Sequence, residues 1–186
     1  TQQAVDKTGD LFQKGWNLLQ QKNYKEAAKV FEEVVSADPK REWAYTNLSW
    51  AYLELGRYEE AVEAARKEIA NYPDLAMAYN NLGFGLTQLG KYDEAIKELN
   101  KAIELDSSIT KAHFNLGYAY RSMGRYAEAA AAYKRLTEVE PDNPDGFSSL
   151  ASAAMSSNQD NEALKASLRF AELKPHDVIA QSMLAI

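Results

Sequence analysis

The chain repeats itself every 34 residues. GRYEEAVEAARKEIANY begins at Gly56, GKYDEAIKELNKAIELD at Gly90 and GRYAEAAAAYKRLTEVE at Gly124. A fixed beat of this length makes each copy one small supersecondary unit that buries its apolar face against the next copy. Placing the first copy at Thr8 gives five in register without an insertion: residues 8–41, 42–75, 76–109, 110–143 and 144–177. Position 19 is then Glu26, Glu60, Glu94, Glu128 and Glu162, and position 20 is Ala27, Ala61, Ala95, Ala129 and Ala163. Position 8 is always small, as Gly15, Ser49, Gly83, Gly117 and Ala151.

Within one copy, Tyr45, Leu48 and Tyr52 stand three and four apart, which predicts an amphipathic helix over 42–55. Gly56 ends it, because glycine accepts the left-handed conformation that follows a helix. Ala61, Ala65 and Ile69 then predict a second helix over 59–70, closed near Pro73. Each copy is therefore two antiparallel helices and a short turn. The small residues at positions 8 and 20 are expected where the two helices cross, and Tyr24, Tyr58, Tyr92 and Tyr126 at position 17 are expected to plug neighbouring copies.

Composition narrows the partners. A net charge of -6 argues against nucleic acid and against anionic membrane surfaces, both of which require a basic face. No apolar run approaches the length of a membrane span. With no cysteine there is no thiolate metal site and no thiol nucleophile, and the two histidines, His113 and His176, have no partner ligand nearby in sequence. His113 fills a bulky framework position, so it reads as a packed imidazole. No catalytic constellation, metal site or cofactor motif is found, and a compartment does not follow from these residues. The opening TQQAVDK lacks a Met, which suggests that an upstream segment has been removed.

Repeat 3 carries Tyr79, Leu82, Gly83, Leu86, Ala95, Leu99, Ala102 and Ser107, and repeat 4 carries His113, Leu116, Gly117, Tyr120, Ala129, Tyr133, Leu136 and Pro141. This framework resembles the tetratricopeptide repeat family over residues 8 to 177. The outer copies depart from it, at Lys14 in the first and at Asp160 and Ser167 in the last. The resemblance implies an all-α, right-handed superhelical solenoid, here a single array over residues 1–186, in which residues 178–186 begin a further first helix. It also implies a protein or peptide partner held on the inner wall made by the first helices.

Helical arithmetic places positions 2, 5, 6, 9, 12 and 13 opposite the core. Position 6 supplies Asn47, Asn81 and Asn115, whose amides both donate and accept and so suit the backbone of an extended guest. Trp16, Trp50, Phe84 and Tyr118 at position 9, with Phe12 and Trp43, add an aromatic lining. Lys111 and Arg121 are able to take one acidic side chain. The fuller two-carboxylate clamp of repeat proteins that grip chaperone tails is incomplete: the corresponding positions hold Thr46, Trp50, Asn81, Lys111 and Asn115, of which only Asn81 and Lys111 fit.

The expected function is a non-enzymatic interaction scaffold with a peptide groove. The alternative is a spacer or self-assembly module of a larger bacterial protein, since RKEIANYPDLAMAYNNLG resembles arrays attached to such proteins. VIAQSMLAI at the end is poor in polar residues and points to self-association or to continuation of the array, with Leu184 and Ala185 on framework positions.

Overall fold

Position 15 of every repeat turns left-handed. Gly56, Gly90 and Gly124 have φ of 71°, 73° and 73°, and the outer repeats place Lys22 and Asn158 there, both at 58°. One pair of bonds closes each turn: the Arg57 N–H donates to the Tyr52 carbonyl at 2.9 Å and the Gly56 N–H to the Leu53 carbonyl at 3.1 Å. The longer of these spans recurs from Asn23 to Leu18, Lys91 to Leu86, Arg125 to Tyr120 and Gln159 to Ala154. These bonds satisfy carbonyls that a helix end would otherwise leave open.

A computed structural model describes the backbone of residues 2–183 and the side chains of residues 7–183. Among the described residues every regular element is an α-helix. The first helices are α1 (Gln2–Gln20), α3 (Ala44–Glu54), α5 (Ala76–Gln88), α7 (Thr110–Ser122) and α9 (Pro144–Ser156). Their partners are α2 (Tyr24–Ala37), α4 (Tyr58–Asn71), α6 (Tyr92–Leu105), α8 (Tyr126–Val139) and α10 (Asp160–Leu173), and α11 (Val178–Met183) follows. Leu184 and Ala185 lie outside the described residues.

Where one array over residues 1–186 is expected, the chain divides into two compact units, Thr1–Leu105 and Asp106–Ile186. In the first, α2 packs on α1 and α3, α4 on α3 and α5, and α6 on α5, while α3 also touches α1 and α5. In the second, α8 lies against α7 and α9, and α10 against α9 and α11.

The small residues sit at the helix crossings, as their spacing predicts. A Cβ on Gly83 would come within 2.5 Å of Leu99, one on Gly117 within 2.6 Å of the Tyr133 ring, and one on Gly15 within 2.9 Å of Phe31. Leu99, Tyr133 and Phe31 all occupy position 24, so glycine at position 8 makes room for a bulky side chain there. The remaining repeats hold small residues at both positions. In repeat 2 they are Ser49 and Ala65, and the Ser49 hydroxyl donates to the Ala61 carbonyl at 2.8 Å. In repeat 5 they are Ala151 and Ser167. Wherever position 24 is bulky, position 8 is glycine, which is what dense packing demands.

Tyr24 and Tyr58 are half-buried against the core of the first unit. Tyr126 is 38% exposed, more open than the plug expected at this position.

Candidate protein-interaction surface

The first helices set the candidate surface, and in the first unit they press against one another. That contact closes part of the face expected to be open. Thr46 and Asn80 at position 5, Asn47 and Asn81 at position 6, and Leu19, Leu53 and Thr87 at position 12 are all buried. The Asn81 amide donates to the Thr46 carbonyl at 3.1 Å and its oxygen accepts from Asn80 at 3.3 Å. Asn81 thus fastens α5 to α3, and Asn47 is sealed beside it at 5% exposure. These two expected rungs do not face an open groove. The helical arithmetic placed them opposite the core of their own repeat, where the adjacent first helix covers them.

Position 9 stays partly open. Trp16 is 40% exposed and meets Trp50 edge to face, with ring centroids 6.3 Å apart. The Trp50 Nε1 donates to Glu54 at 3.1 Å, which fixes the rotamer of the half-buried indole. Phe12, one turn before Trp16, stands edge-on to Phe31 at 5.5 Å and carries the Arg41 guanidinium 5.2 Å over its ring. Phe84 is half-buried against the same core. Phe12, Trp16, Trp50 and Phe84 thus border one core in the first unit.

Trp43 reaches the surface by an unusual route. Its backbone is left-handed, with φ 67° and ψ -4°, and α3 starts only at Ala44, two residues later in the repeat than α5, α7 and α9. The cause is Glu68 on α4, which is fully buried. Its Oε1 accepts the Trp43 N–H at 2.8 Å and its Oε2 accepts the Thr46 N–H at 3.0 Å. A carboxylate from the partner helix thereby caps α3 where no local side chain does, and Trp43 is left 42% exposed. Burial pushes the Glu68 carboxyl above the ordinary glutamate range, while the N–H bonds from Trp43, Thr46 and Tyr45 oppose that rise. Glu68 was not among the residues expected at the site. The signal was in the sequence, since position 27 is otherwise Val34, Ala102, Leu136 and Phe170.

In the second unit, α7 carries Lys111, Asn115, Tyr118 and Arg121. Lys111 and Arg121 are exposed, Asn115 and Tyr118 half-buried. The Arg121 guanidinium lies 5.3 Å over the Tyr118 ring. Phe114 is 37% exposed and packs on Tyr133 at 5.7 Å. His113 is buried, with Nε2 3.0 Å from the Ser107 carbonyl, to which it must donate.

A tetratricopeptide repeat family model matches residues 18–81, and a TPR repeat model matches residues 86–121 and 117–158. The chain belongs to the tetratricopeptide repeat family. Its tetratricopeptide fold is seen in several solved structures. It is 24% identical to MamA, covering 90% of this chain and 92% of that one with a TM-score of 0.75. It is 20% identical to pilF of Pseudomonas aeruginosa, covering 97% and 82% with a TM-score of 0.81. It is also 20% identical to YrrB, described as a TPR protein with an unusual peptide-binding site, covering 95% and 91% with a TM-score of 0.71. Comparison with curated protein sequences gives no match. Tetratricopeptide repeats serve generally as protein–protein interaction scaffolds and not as enzymes. No helix among the described residues is long and apolar enough to cross a membrane.

Proposed function

We propose that this chain is a non-enzymatic scaffold that binds a protein or peptide segment on the first-helix faces of its repeats. The carrying observation is a set of indoles presented at fixed positions: Trp16 and Trp43 are 40% and 42% exposed, and Trp50 is held by Glu54 beside Trp16. Large aromatic anchors whose rotamers are already set give affinity at a small ordering cost. Phe12 and Phe84 extend this face in the first unit, and Asn115 and Tyr118 offer a second face in the other. The buried Asn81 supports the surface by bonding α5 to α3.

The test is selection of a random dodecapeptide phage library on the full chain, followed by calorimetry of the selected peptides with wild type, Trp16→Ala and Trp50→Ala. Loss of an anchor should weaken binding about tenfold or more, equivalent to about 1.4 kcal/mol, with the unfolding midpoint of Trp16→Ala kept. Equal affinities for all three proteins would reject the aromatic face.

One observation favours a second reading, a spacer or self-assembly module. Val178, Ile179, Leu164 and Leu168 are 81%, 59%, 54% and 47% exposed in the second unit. Under that reading, sedimentation shows concentration-dependent oligomers that Leu164→Lys with Ile179→Lys abolishes. A monomer at every concentration removes it.

A further inference from the structure

Position 24 holds Phe31, Ala65, Leu99, Tyr133 and Ser167. Tyr133 is 0% exposed, and its hydroxyl has no hydrogen-bond partner among the described residues. Phenylalanine, as at Phe31, would pack there without stranding a polar atom, so packing alone does not explain the hydroxyl.

Its surroundings do point to a ligand. The Tyr133 ring passes Gly117, with Cζ 2.7 Å from the place of a glycine Cβ, and meets Phe114 at 5.7 Å. Burial pushes its phenol up to about 12, with the Arg121 charge opposing and Tyr118 adding to the rise. The Tyr133 ring thus lies against α7 at Phe114 and Gly117, and Tyr118 and Arg121 follow Phe114 on that helix at spacings of four and three. Arg57, Arg66, Arg125, Arg135 and Arg169 are each paired with a carboxylate, whereas Arg121, like Arg41, makes no ion pair among the described residues. The α7 sequence, TKAHFNLGYAYRS, has two cations and no Asp or Glu in a chain of net charge -6.

We propose that Arg121 and the Tyr133 hydroxyl form a subsite for one carboxylate of the bound segment, reached when Phe114 turns aside. The guanidinium meets the anion from the solvent side, the hydroxyl donates from beneath, and Tyr118 holds the guanidinium in place. This rests on the interaction function proposed above and adds the chemistry of the partner: an acidic group next to an apolar one that replaces Phe114. The carboxylate comes from an Asp or Glu side chain or from a chain terminus, and the experiment separates these sources.

Peptides selected from the random dodecapeptide library are synthesised in three forms: unchanged, with an amidated carboxyl terminus, and with each Asp or Glu replaced by Asn or Gln. Calorimetry with wild type, Tyr133→Phe and Arg121→Gln is expected to show about tenfold weaker binding of the unchanged peptide to either variant. The form that loses the relevant carboxylate should bind all three proteins alike and so identify its source. Tyr133→Phe should melt no lower than wild type, which separates the subsite from a packing role. Equal binding of the unchanged peptide to all three proteins overturns the subsite and leaves the interaction function standing. Failure of every selected peptide to bind wild type overturns both.

Discussion

Glu68 reaches across repeat 2 to accept the backbone N–H of Trp43 at 2.8 Å, so the start of α3 is set by a residue on α4. Both oxygens are engaged, since Thr46 donates to the other at 3.0 Å. Glu68→Ala leaves both donors without an acceptor and should cost about 2–4 kcal/mol in chemical denaturation. Loss of under about 0.5 kcal/mol would show that the cap contributes little.

The same carboxyl gives a pH dependence. A raised acid favours its neutral form in the fold, so the stability it contributes is full below the ordinary glutamate range and is lost as pH climbs through its raised value. Denaturation of wild type and Glu68→Gln from about pH 4 to about pH 8 checks this, with the declining component expected in wild type alone. A matching decline in the variant would assign it to other groups.

Asn81→Ala removes the bond to the Thr46 carbonyl inside the first unit. The expected loss is about 1–3 kcal/mol of stability, read by thermal or urea unfolding. Unchanged stability together with lost peptide binding would return Asn81 to the role of a ligand contact.

The close approach of positions 8 and 24 predicts non-additivity. Gly83→Ser pushes a side chain into Leu99, and Leu99→Ala opens a void, each destabilising by roughly 1–5 kcal/mol. Together they reproduce the Ser49 and Ala65 arrangement, so the double variant should be more stable than the sum by about 1 kcal/mol or more. A strictly additive cycle would refute size matching at the crossing.

Lys22 adopts φ 58° where the central repeats use glycine. Lys22→Gly should stabilise the chain by about 0.5–1 kcal/mol, and Gly90→Ala should destabilise it by about 1–2 kcal/mol. Paired melting curves of the two variants test the turn.

The helix pairs, their turns and the tight crossings were legible because they recur. Five glutamates and five alanines in step leave no other register, and small residues at fixed places announce close approach. The site was legible only in part. Position 9, expected to line a groove, is exposed at Trp16 and half-buried at Trp50, Phe84 and Tyr118. Asn47 and Asn81 were misplaced because a single helix wheel has no neighbour on it, and the neighbour is what covers them. Glu68 is hidden for the opposite reason: it departs from the repeat at position 27, where the other copies hold Val34, Ala102, Leu136 and Phe170. The late start of α3 has the same origin, since nothing within residues 42–55 delays that helix and the Glu68 cap does.

Trp43, Thr46 and Glu68 all belong to residues 42–75, so the peculiarity of the second repeat is self-contained. Each repeat also leaves its first helix through the same left-handed residue and the same pair of bonds. Duplication, deletion or transplantation of one 34-residue cassette would therefore move an exposed indole together with the carboxylate that aims it. A lineage of such arrays is free to shuffle this exposed indole without rebuilding its support.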